Sequence, residues 1–449
     1  MATAGIASRT PANEHGQVFR PIRRRRDPRQ VALVAWCATV AMLGHAENSE
    51  QIITNVDLMA GLLERTGGPD TPPVGPTDDA EFAVDLKRKL ELGEYTEVAD
   101  AAERRITELE IKRGRYDIAL VHPLTLLGDA RMMMEDPSRA LEVYDRARHI
   151  TRLEEGVQSV RQSAILHREA NALAAFGDYD SANDRQEFAY DLSLRAYGRD
   201  DPRHMVATYR LIQWYRHHYK FLPTHFLFEL LTEAAMTHLP PGDPLTLAIM
   251  RDHARLFHDK VFGRRKLGRG LFNAWPPGIE RPPPWRTVSS FDEGRRILGE
   301  IVETLDAAQE TSSGERATAL LNLADWNLLF AKYPRAIRHY RKVWDLLQSD
   351  PVRQQVVFSE PTPLFLPMPR KSRGTYYGSQ DAEDPTVGLA LTVNRRGKVT
   401  GRKTVHKNSD RLMEHRVRMA AKRARYRPAF RDGDPVTVKG FPLAYDPAD

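Results

Sequence analysis

Few side chains in this 449-residue chain are grouped as chemistry would need them. His217 and His218 adjoin, and His253 and His258 lie five apart. A metal ion needs donors that converge. Adjacent residues on a helix point in different directions, and an i,i+5 pair is poorly aligned for one ion. Both pairs therefore read as packing or surface residues. Asp200, Asp201 and Asp243 stand in or beside Asp-Pro phrases, where a carboxylate caps a turn before it acts as an acid. The sequence has no glycine-rich phosphate loop, no His-Glu-x-x-His and no Gly-x-Ser-x-Gly. No enzyme, cofactor or metal centre is expected.

Charge is concentrated instead. Residues 410–427 hold Arg411, Arg416, Arg418, Lys422, Arg423, Arg425 and Arg427 against Asp410 and Glu414. On one helix such cations could meet anionic cell-wall polymer or lipid head groups. They could equally form a solvated face turned toward acidic residues of the same chain. Residues 351–449 carry 19 Lys and Arg against 10 Asp and Glu. Residues 1–46 carry seven arginines against Glu14 and Asp27. With +6 overall, residues 47–350 are left at −8. An acidic middle argues against nucleic acid, whose backbone asks for concentrated positive charge.

The elements behind these residues follow a ruler of 42 residues. Val98, Ala140 and Ala182 fall on it, each starting the second helix of a helical hairpin. Pro202 and Pro244 share the ruler in another phase, within Asp201-Pro202-Arg203-His204 and Asp243-Pro244-Leu245-Thr246. The clearest unit is Leu126-Leu127-Gly128-Asp129-Ala130 followed by Ala140, Tyr144 and Ala147. A late copy reads Leu323-Ala324-Asp325-Trp326, Tyr333, Ala336 and Tyr340. Small residues stand where helices must approach closely, and large ones three or four positions away on the same face. Gly93-Glu94-Tyr95 and Gly177-Asp178-Tyr179 mark helix ends that need positive φ. The pattern resembles the tetratricopeptide repeat, in the longer kinesin-light-chain form. That resemblance implies an α-solenoid that binds proteins and does not catalyse.

Toward the N-terminus, Arg23 to Arg26 and Arg29 precede the apolar run Val31–Leu43, and Gly44-His45-Ala46 follows. A basic region, about 13 apolar residues and small residues at the exit read as a signal peptide cut after Ala46. The run is shorter than the roughly 20 residues of a spanning helix. The alternative is an uncleaved inner-membrane anchor with its arginines in the cytoplasm. The only cysteine, Cys37, lies inside the run, so the mature chain would lack a disulfide framework. Residues 47–78 read as a short amphipathic helix and a Gly/Pro linker.

The array is expected over 79–270 and again over 291–350. The Pro-rich loop 271–290 lies between, its tryptophans packed on the helices. Residues 351–385 read as an extended linker, with Pro361 to Pro369 docked rather than loose. Residues 386–446 change character: strand Thr386–Asn394, turn Arg395-Arg396-Gly397, return strand Lys398–Lys407, a helix N-capped by Ser409 with Leu412 and Val417 on its buried face, and a strand Val436–Tyr445. Val436 and Val438 alternate on one face, whereas Phe441, Leu443 and Tyr445 take the opposite parity. A bulge near Gly440 would realign them. Pro442 belongs on an edge strand or at a bulge; an edge here fits either strand addition by a peptide or protection against edge pairing.

This segment resembles the TonB C-terminal domain found behind tetratricopeptide arrays in Gram-negative proteins. The resemblance rests on Val393-Asn394-Arg395-Arg396-Gly397-Lys398-Val399, Ala424-Arg425-Tyr426-Arg427-Pro428-Ala429 and Gly433-Asp434-Pro435-Val436. It implies capture of short peptides from outer-membrane receptors at a sheet edge. The family's Tyr-Pro motif is not evident at Thr375-Tyr376-Tyr377-Gly378. The chain also has a folded array in place of a transducer's long spacer. The expected fold is therefore mainly α, a tetratricopeptide-like solenoid followed by a small α+β (ββαβ) module. The expected function is a periplasmic scaffold for envelope proteins or peptides. An inner-membrane energy transducer with ExbB/ExbD-type partners is the alternative if the N-terminal run stays in the membrane.

Overall fold

A computed structural model describes residues 55–66, 77–263, 274–283, 287–308, 311–367, 387–407 and 411–445. The chain divides into residues 1–49 and residues 50–449, and every described residue lies in the second unit. The expected signal peptide, Ser409, Trp285 and the stretch 375–378 fall outside the described residues.

Helix α1 (Asn55–Thr66) precedes six helical hairpins among the described residues. They are α2 (Thr77–Leu92) with α3 (Tyr95–Arg113), α4 (Val121–Met133) with α5 (Pro137–Glu155), α6 (Ser163–Ala175) with α7 (Tyr179–Tyr197), α8 (His204–His217) with α9 (Phe221–His238), α10 (Pro244–Phe262) with α11 (Ser290–Ala307), and α12 (Ser313–Leu329) with α13 (Tyr333–Leu346). From α2 to α13 successive helices pack on one another. Val98, Ala140 and Ala182 are each the fourth residue of a second helix, and each is 0% exposed. Ala147, Ala324, Ala336 and Tyr340 are equally buried. Gly128 has no room for a side chain, because a Cβ there would lie 2.2 Å from the Tyr144 ring. Ala140→Leu should therefore lower stability by about 1–3 kcal/mol through overpacking. Urea unfolding checks this, and an unchanged midpoint would mean that Ala140 faces free space.

The described residues 274–283 and 287–289 fall within the fifth hairpin, between α10 and α11. Leu247, Met250 and Phe257 of α10 share one core with Ile297, Leu298 and Ile301 of α11. Residues 274–283 of this loop are docked: Ala274 and Ile279 join the core around α8 and α10. The Trp275 indole donates to Ile279 O at 2.8 Å, and its ring lies 5.7 Å from Phe226.

Residues 351–385 do not begin as a linker. Asp350 accepts from Arg353 N and caps helix α14 (Pro351–Phe358), whose first residue is a proline that needs no donor there. Strand β1 (Thr362–Phe365) follows. Next come β2 (Val387–Val393), β3 (Val399–Lys407), helix α15 (Arg411–Arg423), β4 (Arg425–Arg427), β5 (Phe430–Arg431), β6 (Asp434–Pro435) and β7 (Val438–Tyr445). The main sheet is antiparallel in the order β3-β2-β7, and β1 pairs separately with β4. Val387, Leu389, Leu391 and Val393 alternate inward on β2 and meet Val417, Ala420 and Ala421 of α15. The β2–β3 turn is closed by Asn394, whose side chain accepts from Arg396 N and Lys398 N.

Candidate interaction surfaces

Strand β7 lies at one margin of the sheet, and among the described residues no strand pairs along its outer side. Against β2, Phe441 faces Leu391 and Lys439 faces Thr392, so Gly440 is left unpaired at φ +78°. This is the bulge that the change of side-chain parity required. It turns Phe441, Leu443 and Tyr445 toward α15, where they join the core of the module. The Phe441 ring meets Tyr426 edge-on at 5.5 Å, and the Tyr445 hydroxyl donates to Pro367 O at 2.9 Å. These three side chains build the strand, so any strand added outside would be held by backbone groups. Val438 opens β7 opposite Val393. Val436 stands outside the strand, and its N–H donates to Ala429 O at 2.8 Å. Pro442 sits opposite Ala390 and offers no donor.

Helix α15 carries Arg411, Arg418, Lys422 and Arg423 exposed and Arg416 half-exposed. Two expectations for it need correction. Leu412 is 54% exposed, so the buried face is Val417, Ala420 and Ala421. Arg427 is not on the helix, which ends at Arg423. Proline at 428 disfavours helical backbone at the residue before it. Glu414 accepts from Thr404 at 2.7 Å and pairs with Lys407 at 3.1 Å. The hydroxyl first, then the ammonium, hold its carboxyl below the usual range.

Arg427 joins the module to the array instead. Its guanidinium makes two bonds to the Asp325 carboxylate, at 3.1 and 2.7 Å. The Tyr340 hydroxyl donates to the same carboxylate at 2.6 Å. An equivalent group occurs inside the array. Tyr144 donates to Asp129 at 2.7 Å, and Arg168 makes two bonds to that carboxylate at 2.8 and 3.0 Å. Aspartate and tyrosine are 15 residues apart in both places. Arg168 comes from the first helix of the next hairpin, and Arg427 from β4. The module thus occupies the end of the array by the contact that a further repeat would make. Phe430 strengthens the seat, packed among Tyr340, Trp344 and Phe358. Arg341 pairs with Asp434 at 2.8 Å. Sequence reading missed this joint, although the recurrence of the Asp/Tyr pair was visible.

The candidate chemical residues separate. His253 does not meet His258; it meets His225, with Nδ1 of His225 and Nε2 of His253 2.9 Å apart and both rings buried. Burial first, then His225 and Arg296, hold His253 well below the usual imidazole range. His217 and His218 touch edge-on at 5.2 Å. Asp243 caps α10 by accepting from Leu245 N. Arg203 holds Asp201 down to about 2, chiefly by its side-chain hydrogen bond. Asp200 offers its backbone carbonyl to His238. Among the described residues no group of three or more His, Cys, Asp or Glu could hold a metal ion.

Fold and surfaces define a class: a mainly helical chain, with tetratricopeptide-like hairpins stacked in series and closed by a small sheet-containing module. No protein-family model matches the chain, and no curated protein matches it. Solved structures similar to it include a kinesin light chain protein of Podosopora anserina with nearly identical TPR-like repeats. That match is 13% identical with a TM-score of 0.37, over 52% of this chain and 98% of that one. BtubC (BKLC) from P. vanneervenii is similar at 13% identity and a TM-score of 0.36, over 66% of this chain and 99% of that one.

Proposed function

We propose that this protein is a non-catalytic interaction scaffold of the Gram-negative periplasm. Its helical array holds one partner, and its C-terminal module captures a short peptide of an envelope protein along β7. The observation that carries this reading is the outer side of β7, a strand margin on a sheet backed by α15 and seated on the last hairpin. Backbone groups along such a margin take up an extended peptide as a further strand. The TonB-like sequence phrases support a receptor peptide as the guest. Val438→Asp, at the start of β7, should abolish anisotropy-detected binding of labelled peptides from outer-membrane receptors and leave helical circular dichroism unchanged. Unaltered binding would remove β7 as the site.

The array could also serve an inner-membrane transducer if residues 31–43 are retained as an anchor. Among the described residues no helix is long and apolar enough to cross a membrane. N-terminal sequencing of the protein from fractionated Gram-negative cells separates the two readings. A soluble chain starting at Glu47 is the expected result. A membrane-bound chain retaining Val31–Leu43 would favour the transducer and an ExbB/ExbD-type partner.

A further inference from the structure

Helix α1 is placed unlike the other helices. It comes first among the described helices, yet it packs on α8 and α10, of the fourth and fifth hairpins. Those are the first helices of two successive hairpins, and α1 lies across both, with no hairpin partner of its own among the described residues. Leu58 and Leu62 are 2% and 0% exposed. They enter the core formed by Met205, Val206, Tyr209 and Ile212 of α8 with Leu245 and Ile249 of α10. Met59 and Leu63 pack beside them. Gly61 leaves room for the Leu245 side chain, since a Cβ there would lie 3.2 Å from Leu245 Cδ1.

Charge fixes the direction. Arg65 Nη1 lies 3.2 Å from Asp243 Oδ2, and the Asp243 side chain is 5% exposed. The site thus reads two leucines four apart and a cation three residues on. An amphipathic helix laid into an apolar groove is recognised by such anchors.

We propose that α1 is a built-in occupant of the array's partner site, and that the partner is an amphipathic helix bearing the same Leu-x-x-x-Leu-x-x-Arg pattern. This rests on reading the array as a partner-binding scaffold. The tethered copy competes with any helix from outside. A short tether sets an effective concentration of about a millimolar, so an α1 whose own untethered affinity is about 10 μM weakens any guest about a hundredfold.

The test uses the full chain carrying Leu58→Asp and Leu62→Asp, with a fluorescein-labelled peptide of residues 55–66 as the probe. The released chain should keep the parent's helicity and cooperative unfolding. It should bind the peptide about a hundredfold more tightly than the parent does. A peptide carrying the same two aspartates should not bind. In the parent, hydrogen exchange should show α1 opening more readily than α8 and α10, a readout that needs no variant. The inference is overturned if α1 opens only with the whole array, or if the released array ignores the peptide. Peptide capture at β7, measured on the same preparation, tells these failures apart from failure of the scaffold reading itself.

Discussion

Arg427→Met is expected to destabilise the chain by about 3–5 kcal/mol, the cost of leaving a buried charge without its partner. The Arg427 side chain is 4% exposed and that of Asp325 15%. Burial works against the Arg427 charge, and Asp325 more than compensates, with Tyr340 adding to it. Without the guanidinium, the carboxylate keeps only the Tyr340 hydroxyl. The matching group inside the array gives a control. Arg168 and Asp129 are 32% and 25% exposed, so solvent screens them, and Arg168→Met should cost only about 1 kcal/mol. Adding Asp325→Asn to Arg427→Met should restore most of the loss, because the amide still accepts from Tyr340 and no charge is stranded. Urea unfolding of the four chains measures all of this. Equal losses at the two sites would show that burial does not set the strength of the joint.

Gly397→Ala should be nearly as damaging, at about 2–4 kcal/mol. Gly397 has φ +67°, and an added Cβ would fall 1.8 Å from Tyr426 O and 3.2 Å from Leu328. The obstacle is backbone and cannot swing aside, because Tyr426 N donates to Gly397 O at 2.9 Å. Gly440 has a similar φ of +78° with nothing within 4 Å of its added Cβ. Gly440→Ala should therefore show only the left-handed penalty, about 1 kcal/mol. Thermal melts of the two variants separate the steric cost from the conformational one; matching shifts would mean that the turn moves away freely.

The repeat was legible because alanine and glycine recur where helices touch, and a missing side chain leaves a mark in sequence. The bulge was legible too: Val438 and Phe441 have incompatible parity on one strand, and Gly440 lies between them. The place of Arg427 was not read, because a run of cations masks the end of a helix. Pro428 carried the signal. Helix α14 was hidden by the prolines after it, although Asp350-Pro351 is a helix start. The docking of α1 had no sequence signal, since periodicity reveals an apolar face without naming what it meets. The His225–His253 contact was equally invisible, being made between two helices 28 residues apart in sequence.

The Asp325–Tyr340 seat has an implication for how such chains can be lengthened. Arg427 of the module meets the final hairpin at a carboxylate and a phenol, a pair that an inner hairpin also carries. Its fit is set by the identity of its immediate neighbour and is indifferent to how many units stand behind. Gain or loss of an early hairpin would leave the module's attachment intact while changing how far the β7 margin stands from α2, where the hairpin series begins. The span between the two ends is thus free to drift, as long as the last hairpin keeps its acid and its tyrosine.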